Sequence, residues 1–234
     1  MEELKVIYED NHIIVVQKPQ NVLSQGDETG DVSLLDMVKD YIKKTYNKPG
    51  NVYVGLVHRL DRPTGGVMVF AKTSKAAARL TEQLKNKEFS KKYLSVVVGT
   101  PKYKSSRLEH FLKKDEILNK VRVCARGETG AKQAILEYKT ICTKDKVSLV
   151  DVKILTGRSH QIRVQMAEIK TPVFGDVKYG GDVLAKGHNL ALWAYELSFI
   201  HPTTKKKMTF NYLPSTDVVP WNVFEKEILE KQKI

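Results

Sequence analysis

The apolar residues of this chain come in short runs. Val6-Ile7-Tyr8, Ile13-Ile14-Val15-Val16, Val67-Met68-Val69-Phe70-Ala71, Tyr93-Leu94-Ser95-Val96-Val97-Val98 and Val147 to Val152 are each about one strand long, and turn-forming or charged residues close them. That punctuation directs the chain toward a β-rich fold, and no run is long enough to cross a bilayer as a helix. The N-terminal stretch Met1-Glu2-Glu3-Leu4-Lys5 lacks the apolar core of a secretion signal, so the expected location is the cytoplasm.

Helical spacing interrupts the strands at a few places. Asp31 or Ser33 can cap a helix with apolar positions Leu34, Leu35, Val38, Tyr41 and Ile42, which Asn47-Lys48-Pro49-Gly50 ends. A second helix is predicted from Ser74, as its cap, to about Asn86, with Ala77, Ala78, Leu80, Thr81 and Leu84 inward. From Lys92 to Val152 the pattern is β-rich, with Ala134 to Tyr138 as a further strand. Ser159 to Glu168 reads as a short helix, Leu190 to Phe199 as a strand and Trp221 to Lys231 as a closing amphipathic helix. A length of 234 residues suffices for a substantial core, and no repeat or linker marks a boundary. The expectation is therefore one α+β domain over residues 1–234, on a mixed, mainly antiparallel sheet flanked by helices and loops.

Charge narrows the partner. Thirty-nine Lys and Arg against 27 Asp and Glu give a net +12, a field that attracts polyanions without choosing RNA over DNA. Cys124 and Cys142 have no CxxC or His spacing around them, which points to two reduced thiols and no zinc site. The acidic stretch Gly26 to Asp31 can be read as a metal loop, but a helix-capping loop is the simpler account.

Two segments are dense enough to carry chemistry. In Val57-His58-Arg59-Leu60-Asp61-Arg62-Pro63-Thr64-Gly65-Gly66, one carboxylate stands between two arginines, and a Pro and two Gly break regular structure before the next strand. Flanking guanidinium groups favour an ionised Asp61, as a nucleophile or positioning anion requires; burial would oppose them, and a turn Asp in a surface ion pair would look the same. In Leu155-Thr156-Gly157-Arg158-Ser159-His160-Gln161-Ile162-Arg163-Val164, a strand ends at a Gly and a helix begins. Its arginines can fork a phosphate or a distant carboxylate. His160 is read as structural, with no catalytic role.

Taken together, these segments resemble the RNA pseudouridine synthases, specifically the RluA-like branch that modifies ribosomal and transfer RNA. The resemblance covers almost the whole chain. It rests on five motifs in order: His58 to Gly66, Lys91-Lys92-Tyr93 to Gly99, Thr156 to Arg163, Pro172 to Gly180, and Ala194 to Pro202. The chain departs from the family pattern at Gly65, Gln165 and Trp193, and lacks the usual Gly after Lys18-Pro19. The resemblance places the catalytic region at the start of the chain, and the expectation is a catalytic domain without the S4-like RNA-binding domain that many relatives carry.

The resemblance implies an isomerase that needs neither cofactor nor metal. Asp61 would be the catalytic carboxylate, Tyr93 would stack on the uracil and assist proton transfer at C5, and Arg163 would pair with Asp61. Arg59 would fill the space left by the extruded base or hold the backbone, Ile162 would line the pocket, and Arg62, Thr64 and Arg158 would contact the substrate. RNA is the expected partner, with no membrane and no obligate protein partner, the chain acting as a monomer. Two rivals differ in class: a noncatalytic RNA-binding protein, which would not need Asp61, Tyr93 and Arg163 intact, and a metal-dependent phosphodiesterase, which would need a carboxylate or histidine cluster.

Overall fold

The computed structural model describes residues 3–180 and 187–231, so Met1 and Glu2 of the N-terminal stretch lie outside it. Among them are eleven strands, four α-helices and a 3-10 turn, the expected α+β composition. The chain divides into two compact units, residues 1–90 with 194–212 and residues 91–193 with 213–234.

In the first unit β1 (Val6–Glu9) and β2 (Ile13–Lys18) form the expected opening hairpin. Asp10 makes its turn by accepting the N–H groups of His12 and Ile13 at 2.7 and 2.9 Å. Ile13 to Val16 are fully buried in succession, as in a strand covered on both faces. On the other side β2 pairs antiparallel with β4 (Gly65–Ala71), with β3 (Gly55–Leu56) also on β4. β10 (Leu192–Ile200) follows, with β11 (Lys207–Asn211) along it.

Two helices flank these strands. Of the two possible caps for α1 (Leu34–Thr45), the structure uses Ser33, which exchanges bonds with Asp36 in a capping box. The cap of α2 (Ser74–Lys85) is Thr73, whose hydroxyl accepts the Ala76 N–H at 3.2 Å, one residue before the Ser74 expected from sequence. Ala76 and Leu80 pack with Ile13, Val15, Val67, Val69, Leu197 and Phe199 into one apolar cluster. The glycines at 65 and 66, expected to break structure ahead of the strand, are its first two residues instead. Gly66 pairs with Lys18, and its φ of 131° with Ala194 backbone 2.2 Å from where a Cβ would stand explains the glycine.

The second unit carries β5 (Ser90–Val98), β9 (Val147–Ile154), β8 (Lys132–Lys144), β6 (Ser105–Asp115) and β7 (Lys120–Cys124) in that spatial order, every pairing antiparallel. β6 and β7 have no counterpart among the predicted strands, and the predicted Ala134 to Tyr138 covers only the N-terminal half of β8. The helix expected from Ser159 begins two residues later as α3 (Gln161–Glu168), because His160 holds a left-handed φ of 51°. Val164 anchors α3 in a small core with Leu112, Val121 and Ala134. The closing helix is a 3-10 turn, Trp221–Phe224, running into α4 (Glu225–Lys231).

Candidate active site

The loop between β3 and β4 is fastened from beneath by residues of the β2–α1 connection. Lys18, the last residue of β2, is fully buried. Its Nζ donates to the carbonyl oxygens of Pro19, Arg62 and Thr64 at 2.9, 3.0 and 2.8 Å. Burial pulls its pKa down to about 7, while the Asp61 carboxylate acts in the opposite direction. Ser24 clamps the other flank: its hydroxyl donates to Leu60 O at 2.8 Å and accepts Leu60 N–H at 3.1 Å. Gln20 reaches Pro63 O at 3.0 Å, and Thr64 N–H closes a turn onto Asp61 O at 2.9 Å. The backbone on both sides of Asp61 is thereby held, and Asp61 itself is half-buried.

The other side chains of this loop divide sharply. His58 is buried, and its Nε2 accepts the Val69 N–H at 3.2 Å, which keeps that nitrogen unprotonated. Arg59 is exposed. Arg62 turns toward the β2–α1 connection, where Nε donates to Asn21 O at 3.1 Å and Nη2 pairs with Asp31 at 2.7 Å. Asp31 therefore serves Arg62 and not the helix cap. Thr64 is buried with no hydrogen-bond partner for its hydroxyl among the described residues.

The second unit carries the remaining site residues expected from sequence. Tyr93 lies on β5 opposite Val152 of β9 and is buried. Ile162 and Arg163 occupy the first turn of α3, both buried. Arg163 makes a two-bond fork to Asp176, Nε to Oδ2 and Nη2 to Oδ1, each at 2.7 Å. Arg158 stands outside the helix, exposed, with Nε donating to Gln133 O of β8 at 2.8 Å. Gln165 is fully buried, its amide donating to Leu108 O and Ala134 O at 3.3 and 3.2 Å; this ties α3 to β6 and β8. Trp193 is buried as well.

Four residues that sequence reasoning gave no role thus stand around the expected ones: Lys18, Gln20, Ser24 and Asp176. For Lys18 the signal is a charged residue just past the apolar run Ile13 to Val16. For Asp176 the signal is its place in the motif from Pro172 to Gly180.

This arrangement can hold one carboxylate rigidly, and comparison with known proteins gives it a family. Residues 12–168 match the RNA pseudouridylate synthase family. The chain is 32% identical over 205 residues to an uncharacterized RNA pseudouridine synthase of Bacillus subtilis, covering 86% of this chain and 66% of that one. It is 33% identical over 199 residues to ribosomal large subunit pseudouridine synthase D of Borreliella burgdorferi, covering 83% and 60%. An Aquifex aeolicus relative, also an uncharacterized RNA pseudouridine synthase, is 36% identical over 220 residues, covering 88% and 68%. The solved structure of human RNA pseudouridylate synthase domain containing 4 shares the fold, with a TM-score of 0.77 at 21% identity, covering 97% of this chain and 93% of that one. The chain belongs to the RNA pseudouridylate synthase family, in the RluA-like branch that its motifs indicate. It spans 60–66% of the length of the first two relatives.

Proposed function

We propose that this protein is an RNA pseudouridine synthase that isomerises specific uridines in folded ribosomal or transfer RNA, with Asp61 as the reacting carboxylate. The supporting observation is the fixed turn around Asp61, whose neighbours on both sides bond to the buried Lys18, Ser24 and Gln20. In the reaction the bond between uracil N1 and ribose C1′ breaks, the base turns, and C5 bonds to C1′ in place of N1; C5 gives up its proton and N1 takes one up, so the product is an isomer of the substrate. No electrons are gained or lost. Asp61 attacks the sugar carbon or the base, or assists formation of a glycal.

Tyr93 stacks on the uracil and serves the proton transfer at C5, Arg163 orients the Asp61 carboxylate, and Ile162 lines the pocket. The uridine must leave its stack to reach them, at a cost of a few kcal/mol, on the order of other base-flipping systems. Arg59, exposed beside Asp61, fills the vacated space or holds the backbone. Arg62, Thr64 and Arg158 contact the substrate, and for Arg62 an RNA phosphate would have to displace Asp31. Residues 1–234 act as one catalytic domain, as a monomer in the cytoplasm, with RNA as partner.

Tritium release from RNA labelled at uracil C5 tests the reading. The unmodified protein should release tritium with chelator present, and Asp61→Asn should abolish release while RNA binding stays within about twofold, because the charge is lost and the side-chain volume kept. Near-normal release by Asp61→Asn would remove Asp61 from the reaction. Mapping pseudouridines in cells with and without the protein identifies the target.

A further inference from the structure

The motif from Pro172 to Gly180 has no part in the reaction as proposed, yet its residues enclose Arg163. Asp176 is buried and engages both its oxygens. Besides the fork to Arg163, Oδ1 accepts the main-chain N–H groups of Lys178 and Tyr179 at 3.0 and 3.1 Å. One carboxylate therefore fixes the edge of the guanidinium and the fold of the segment that carries Tyr179. The Tyr179 ring covers that guanidinium, with 5.1 Å between ring centroid and guanidinium carbon.

The tyrosine is itself anchored at its far end. Its hydroxyl accepts the Val121 N–H at 2.8 Å and lies 2.7 Å from His160 Nδ1. His160 is the left-handed residue ahead of α3 and Val121 belongs to β7, so the ring is tied to two elements while it lies against Arg163.

We propose that Tyr179 is a positioning residue, which with Asp176 sets the direction in which Arg163 presents its other N–H groups. The proposal rests on the reading that Arg163 orients Asp61. Asp176 uses two of the five N–H donors of the guanidinium from one edge, and the ring stops rotation out of that plane. Without the ring the guanidinium keeps its charge and loses its fixed plane. That loss falls on the chemical step, because the alignment of the reacting carboxylate depends on it, and leaves RNA affinity alone.

Single-turnover and steady-state tritium release from C5-labelled transfer and ribosomal RNA separates the possibilities, with Tyr179→Leu, Tyr179→Phe and Arg163→Lys compared singly and combined. Tyr179→Leu should lower kcat about 30-fold with KM within about twofold, in keeping with the steep cost of small misplacements. Tyr179→Phe, which keeps the ring over the guanidinium, should recover most of that loss. In the Arg163→Lys background, Tyr179→Leu should cost little further, because the group it positions is already gone. Thermal melts of each variant define the folded fraction by which rates are divided. The proposal is overturned if Tyr179→Leu keeps normal kcat, if its effect lies in KM alone, or if its full loss recurs in the Arg163→Lys background. Absence of tritium release from the unmodified protein would instead overturn the proposed reaction, and the positioning role with it.

Discussion

Lys18 shows how a single residue supports the site. A fully buried amine with three carbonyl acceptors joins the end of β2 to the turn that carries Asp61. Its pKa is about 7 in the folded chain and 10.5, the ordinary value, in the unfolded one. Between those values the unfolded chain holds the extra proton, so this lysine's contribution to stability rises with pH and falls away as pH drops through about 7. The slope reaches about 1.4 kcal/mol per pH unit at most. Urea melts of the unmodified protein and Lys18→Met should therefore diverge from about pH 7 to about pH 10, the former gaining; a constant difference would contradict the assignment. Arg163→Met should lose turnover and also destabilise the chain by about 3 kcal/mol or more, since it strands the buried Asp176 carboxylate. The expected site residues were readable because they sit in compact motifs. Lys18 and Asp176 were not read as functional because their partners stand 44 and 13 positions away, respectively, and sequence spacing carries no trace of such pairs.

At the scale of elements, legibility followed how apolar each segment is. The predicted strands cover most of β2, β4, β5 and β9, where apolar and β-branched residues concentrate between turn-forming or charged ones. β6 and β7 were missed because charged residues such as Arg107, Glu109, Lys113 and Arg122 dominate them, and only Leu112 and Val121 are buried. Ser74 is the better cap by residue type, and the extended backbone at Thr73 gives the role to Thr73 instead. The start of β4 makes a sharper test. Gly66→Ala would bring a methyl group into the Ala194 backbone at an unfavourable φ, so a loss of about 3 kcal/mol or more is expected by denaturant melting. Ser33→Ala, which removes one half of a capping box, should cost only about 1 kcal/mol.

At the scale of the whole molecule, the net charge of +12 is a field that attracts polyanions, as the proposed RNA substrate requires. Binding should weaken steeply as salt is raised, in proportion to the number of phosphates contacted, as a filter-binding series would record. A flat response would show that the cationic surface is not the RNA-binding one. No described helix is long and apolar enough to cross a membrane. The sealed amine of Lys18 has a further use. An acylating reagent can mark it only in molecules whose Asp61 turn has momentarily come away, so the rate of labelling at this one lysine would count those openings, and a bound RNA that closes over the turn would slow the count.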